Sequence, residues 1–307
     1  MNTPENELPE DVQGAEQPHG EVSLEPTPSA ASEPMAAPES ISEADRPGGL
    51  SYQVPEDLRA PWTWMDLLIF VLFGFGSLLV LTNVLASIAA DLYHMSRPQL
   101  LQFVTTNAGF VTLRQTLWFA VMMGYLFLVV RVRQRVPFWK TIGWRELRIG
   151  ALRPGGAALL CVLGGFVLAI AVQIASALVG KPPQLPIEAL FRDRRSVLLV
   201  MSMGVLLAPV VEETIFRGFI YPVAARSFGV PFGIVFTGTL FGLLHAPQLW
   251  GGWGQIALLI AVGIAFTTAR ARTGTVVATY FLHLGYNTFL FLAFYFATGG
   301  LRYFPNQ

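Results

Sequence analysis

Apolar residues in this chain gather into seven long runs, near 65–90, 103–130, 155–179, 196–225, 230–245, 254–269 and 275–297, with polar and Pro/Gly-rich stretches between them. A helix needs about 20 apolar residues to cross the hydrocarbon of a bilayer. The first three runs and the last meet that length. The fifth and sixth, near sixteen residues, predict tilted helices or helices packed behind their neighbours, and the stretch 100–111 could hold an eighth segment. The expected fold class is therefore an all-α integral membrane protein, a bundle of seven or eight transmembrane helices. Composition agrees: 53% of the 307 residues are hydrophobic and only 13% charged, about half the charged share of an ordinary soluble domain.

Residues 1–60 break this pattern. They hold nine prolines and thirteen Asp or Glu against two Arg, with no apolar periodicity. Such a segment cannot bury enough surface to offset its ordering entropy, which predicts a disordered acidic tail ahead of a membrane domain spanning 61–307. It lacks the basic start and short apolar core of a signal peptide, so no cleavage is expected. The remaining chain is basic, with eighteen Lys or Arg against seven acids. Seven of these cations (Arg131, Arg133, Arg135, Lys140, Arg145, Arg148 and Arg153) follow the second run, opposed by Glu146. The positive-inside rule places that loop in the cytoplasm. Counting back puts the tail there too, and counting forward adds Arg226, Arg270 and Arg272. The stretch 181–195, with Lys181, Arg192, Arg194 and Arg195, falls on the opposite side and conflicts with the rule.

The fourth run carries charge where lipid would be: SVLLVMSMGVLLAPVVEETIFRGFIYP ends its apolar half at Glu212, Glu213 and Arg217. By insertion scales three such groups at depth cost roughly 8–10 kcal/mol, and the nine Leu and Val before them return roughly 4. They should face a bundle interior or a watery cavity. Glu213 and Arg217 are four residues apart and share a face, so they can pair. Glu212 is turned about 100° away. Adjacent carboxylates at low dielectric do not both ionise cheaply, which leaves Glu212 the better general base.

Two more runs add to this group. The fifth ends FGLLHAPQ, with Phe241 and His245 four apart, and the last contains HLGYN, with His283 and Asn287 four apart. Of four histidines, these two lie in apolar helices after the glutamates, and ionisable groups at such depth are functional candidates.

EExxxR, FxxxH and HxxxN, in that order on separate membrane helices, resemble the CAAX prenyl protease and bacteriocin-processing family of intramembrane proteases. The likeness covers about 196–297. It implies an intramembrane endopeptidase in which Glu212 and His245 activate a water, while His283 and Asn287 stabilise the oxyanion. Glu213, Arg217 and Phe241 are then supporting residues. A carboxylate base with a histidine partner, and donors aimed at a developing O⁻, are chemically consistent with hydrolysis. Expected partners are membrane lipid and a membrane-associated or prenylated peptide, with no nucleic acid. Glu212, His245 and His283 would be the ligands of a zinc ion if one is used; with no HExxH present, no cofactor is expected. Two other functions share these residues: a peptide-binding or bacteriocin-immunity protein that does not cleave, and a proton-coupled transporter. The transporter predicts an internal repeat, and EExxxR has no counterpart in 61–195.

The other polar and aromatic positions have simpler readings. Asp66 starts the first helix, Arg114 snorkels to the interface, and Trp62, Trp64, Trp250 and Trp253 anchor at the membrane surface. Cys161 is a packing residue, and 251–254 form a turn.

Overall fold

A computed structural model describes residues 55–180 and 185–303, and all regular structure among them is helical. Among the described residues eight helices of ten or more residues follow one another: α1 (Trp64–Tyr93), α2 (Arg97–Thr106), α3 (Ala108–Arg133), α4 (Pro154–Val179), α5 (Arg194–Phe228), α6 (Val230–Leu244), α7 (Trp253–Thr273) and α8 (Val276–Ala297). Six of them (α1, α3, α4, α5, α7 and α8) are long and apolar enough to cross a membrane, and α6 is a shorter apolar helix. Their outer surfaces carry exposed Leu72, Leu79, Val167 and Leu178, side chains that only lipid would solvate well. The chain is a multi-pass integral membrane protein.

The second apolar run is not one helix. Asn107 ends α2 with extended backbone and caps α3 by accepting a hydrogen bond from the Phe110 amide. An eighth segment does lie near 100, but at ten residues, about 15 Å long, α2 is too short to span. The sixth run is longer than expected, because α7 extends through Arg270 and Arg272 to Thr273.

Which helix ends lie together is set by polar contacts. Asp66 caps α1 through the Thr63 amide and pairs with Arg133 at the end of α3. Trp64 donates to Ser227 near the end of α5, and Thr275 before α8 donates to the carbonyl of Arg145. These ends form one basic face. The end of α4, the turn Pro186–Leu190 and the α6–α7 loop form the other, where the Ile187 amide donates to Gln248 and Phe191 packs on Phe294. Arg192, Arg194 and Arg195 therefore sit opposite the basic face.

Two expectations near the start of the bundle change. Residues 55–60, assigned to the tail by composition, belong with the membrane unit: Leu58 is buried and Asp57 pairs at 2.8 Å with Arg270, itself buried rather than in a loop. Residues 1–54 lie outside the described residues, as does the disorder expected of them. Trp62 is no surface anchor. It is fully buried, stacks on Phe219 and donates to that residue's carbonyl at 2.8 Å. Trp64, Trp250 and Trp253 are exposed, as anchors would be, and Cys161 is a buried packing residue.

Helix α5 is interrupted twice by π-helical turns, Met203–Leu207 and Thr214–Ile220. Each stands just before a proline, Pro209 or Pro222. A proline inside a helix clashes with the carbonyl four residues back and donates no hydrogen bond; a wider turn relieves the clash.

Candidate active site

Glu212 is brought to His245 by a helical hairpin. Gly229, at φ 88°, ends α5 and starts α6. Glu212 lies about as many residues before that turn as His245 lies after it, so folding the two helices together sets them level. His245 Nε2 is 3.9 Å from Glu212 Oε1. The shortness of α6 matters here, because His245 caps its C-terminal end within the bundle instead of emerging from it. From α8, His283 Nε2 comes within 3.9 Å of the other oxygen, Glu212 Oε2.

Close helix packing permits this. Gly238 of α6 and Gly263 of α7 meet so tightly that a Cβ on Gly263 would stand 2.5 Å from the Gly238 carbonyl oxygen. Small residues at such crossings let backbones approach, the usual way membrane helices associate. Helices α4 and α8 cross in the same manner at Gly165 and Gly285, next to His283.

Beneath Glu212 lies a buried polar cluster. Glu213 Oε1 takes Arg217 NH1 at 3.0 Å and lies 2.9 Å from His283 Nδ1. Arg217 is fully buried. It also donates to the Gly263 carbonyl (2.9 Å) and Thr267 Oγ1 (3.3 Å), with its guanidinium 4.6 Å from the Phe241 ring centre and 5.3 Å from that of Phe266. Glu213 and Arg217 pair as their spacing predicts. The bond from Glu213 to His283, seventy residues on, is not legible in the sequence, and it ties the oxyanion candidate to the ion pair. Thr267 and Gly263 were also missed; a threonine one turn after a glycine in an apolar helix is the only local sign of them.

The histidine tautomers follow from their partners. His245 Nδ1 is 2.7 Å from the Phe241 carbonyl, which can only accept, so that nitrogen carries a proton. His283 Nδ1 faces a carboxylate engaged by arginine and donates likewise. When neutral, both imidazoles turn a bare Nε2 towards Glu212.

Asn287 is held by α5. Its Nδ2 donates to the Gly204 carbonyl at 2.8 Å. That carbonyl lacks a helical partner: the Ala208 amide bonds to Met203, and the next residue, Pro209, has no N–H. One N–H of the Asn287 amide is thus engaged; the second is not consumed by this bond.

Glu212, His245, His283 and Asn287 all line one cavity of about 710 Å³, which also reaches Ile187, Leu190 and Gln248 at the face opposite the basic loops. Arg114 lines it too, rather than snorkelling outward. As a metal site the donors fit poorly. The two Nε2 atoms face different oxygens of Glu212, and among the described residues no group of three or more His, Cys, Asp or Glu is placed to hold an ion.

The chain resembles known proteins over part of its length. Residues 194–289, from the start of α5 through the middle of α8, match the family of type II CAAX prenyl endopeptidase Rce1-like proteins. A Bacillus subtilis (strain 168) protein provisionally named membrane peptidase YdiL is 26% identical over 158 residues, covering 49% of this chain and 62% of that protein. The match thus spans less than two thirds of this relative's length. No solved structure matches the chain.

Proposed function

We propose that this chain, whose residues 194–289 match the type II CAAX prenyl endopeptidase Rce1-like family, is an intramembrane endopeptidase that hydrolyses a peptide bond in a lipidated or membrane-associated peptide. The observation that carries the reading is the placement of His245 and His283 on opposite oxygens of Glu212, each at 3.9 Å, at the wall of a cavity. A direct hydrogen bond is too long at that distance, whereas a water between Glu212 and either histidine would reach both.

In this reading Glu212 takes a proton from that water as its oxygen attacks the carbonyl carbon. The C–N bond then breaks and the proton passes to the departing amine. His245, its Nδ1–H fixed on the Phe241 carbonyl, orients the water through Nε2. His283, its Nδ1–H held on the Glu213 carboxylate, donates to the oxyanion through Nε2 when that nitrogen also carries a proton. The free N–H of Asn287 is the second oxyanion donor. No metal enters these steps.

The test is cleavage of a panel of prenylated and unprenylated membrane peptides by the purified full chain in proteoliposomes, with and without a strong chelator. Cleavage that survives chelation supports the reading. Cleavage lost on chelation and restored by zinc would move Glu212, His245 and His283 into ligand roles. Binding without cleavage of any peptide would favour a non-cleaving peptide-binding or immunity protein.

A further inference from the structure

The cavity contains a cation that the hydrolytic steps do not use. Arg114, in the second turn of α3, lines it together with Glu212, yet among the described residues no ion pair or hydrogen bond holds its guanidinium, and its Nε is buried without a partner. The other buried arginines have partners for their terminal nitrogens: Arg217 has Glu213 and the Gly263 carbonyl, and Arg270 has Asp57, although Arg270 Nε is also buried without a hydrogen bond. A second donor on the cavity wall is also unsatisfied, Nε2 of Gln255 at the start of α7. An unpaired guanidinium at membrane depth is costly. Among the described residues the only acid lining the cavity is Glu212, which the two histidines face.

Helices α3 and α5 run in the same direction, from the face opposite the basic loops towards it. Val111, three residues before Arg114, and Val200, twelve before Glu212, belong to one packed cluster, so Arg114 lies nearer that opposite face than Glu212 does.

We infer that Arg114 is the anion-binding residue of the cavity and takes the free carboxyl-terminal carboxylate of the peptide substrate, with the Gln255 amide as a second donor. This rests on the endopeptidase reading above. Guanidinium binds carboxylate through two parallel N–H bonds, and a carboxylate there restores charge balance to the wall. Arg114 is then a specificity residue: it touches no reacting atom, and sets how far from the carboxyl end the chain is cut.

The experiment compares paired peptides differing only in a terminal carboxylate or carboxamide, in proteoliposomes of neutral lipid and of lipid containing anionic phospholipid. The wild type should cleave the acid about 10- to 100-fold better in kcat/KM, the range of a charged hydrogen bond, with the difference mainly in KM. In Arg114→Gln that ratio should fall towards one, and Arg114→Lys should restore part of it. Adding residues to the carboxyl end should move the cut by the same number. Equal cleavage of acid and amide by the wild type would overturn the proposal, as would an unchanged ratio in Arg114→Gln. An Arg114 effect that follows anionic lipid and not the peptide terminus would assign the site to a lipid phosphate instead. If no peptide is cleaved, the endopeptidase reading has failed separately. Binding of the fluorescent acid and amide peptides to Glu212→Gln, with and without Arg114→Gln, then decides the Arg114 assignment by whether the acid binds tighter only when Arg114 is present.

Discussion

His283 Nδ1 lies 2.9 Å from Glu213 Oε1, the same oxygen that Arg217 reaches at 3.0 Å. The ion pair that the EExxxR spacing predicts is thereby also the group that sets the tautomer of a histidine on another helix. Stability and chemistry meet at one buried atom, and substitutions there should affect both.

Removing Arg217 leaves Glu213 buried without its cation. Arg217→Met should destabilise the protein by about 3–5 kcal/mol, read as a lowered midpoint of thermal unfolding in detergent. Arg217→Lys should rescue little of this, because one ammonium cannot reach Glu213, the Gly263 carbonyl and Thr267 together.

Asn287 should show two separable effects. Asn287→Leu strands the Gly204 carbonyl and should cost about 1–2 kcal/mol, besides any loss of activity. Pro209→Ala supplies the missing N–H to that carbonyl. In a Pro209→Ala background the stability cost of Asn287→Leu should shrink, a coupling that a double-mutant cycle measures directly.

The crossing of α6 and α7 tolerates no side chain. Gly263→Val should separate the helices and draw His245 away from Glu212, since even a Cβ would meet the Gly238 carbonyl oxygen at 2.5 Å. Crosslinking yield between cysteines placed on the two helices should fall.

Asp57→Ala should destabilise the bundle by about 2–4 kcal/mol, because Arg270 is fully buried and would lose its carboxylate. A surface pair would cost under about 1 kcal/mol, so unfolding midpoints distinguish the two cases.

The parts of the fold and site readable in the sequence are those with local periodicity. Long apolar runs gave the membrane helices, and four-residue spacing gave the Glu213–Arg217 pair and placed Phe241 with His245. The rest depends on contacts between distant residues. Nothing near His283 marks Glu213 as its partner, and nothing near Asn287 marks the Gly204 carbonyl. Pro209 lies within the fourth apolar run, but which carbonyl it strands follows only once the π turn is known. Trp62 reads as an interfacial anchor from its place beside an apolar run; its burial comes from Phe219, 157 residues away. Arg114 reads as a snorkelling cation because the cavity it lines is assembled from other helices.

The most direct test of the account is the cleavage rate of Glu212→Gln in proteoliposomes, with peptide affinity and thermal unfolding measured on the same preparation. Loss of a general base predicts a fall in kcat of about 10²- to 10⁴-fold, with the protein folded and the peptide still bound. Cleavage within a few-fold of wild type would contradict the assignment of Glu212 and, with it, the mechanism built on its two histidines.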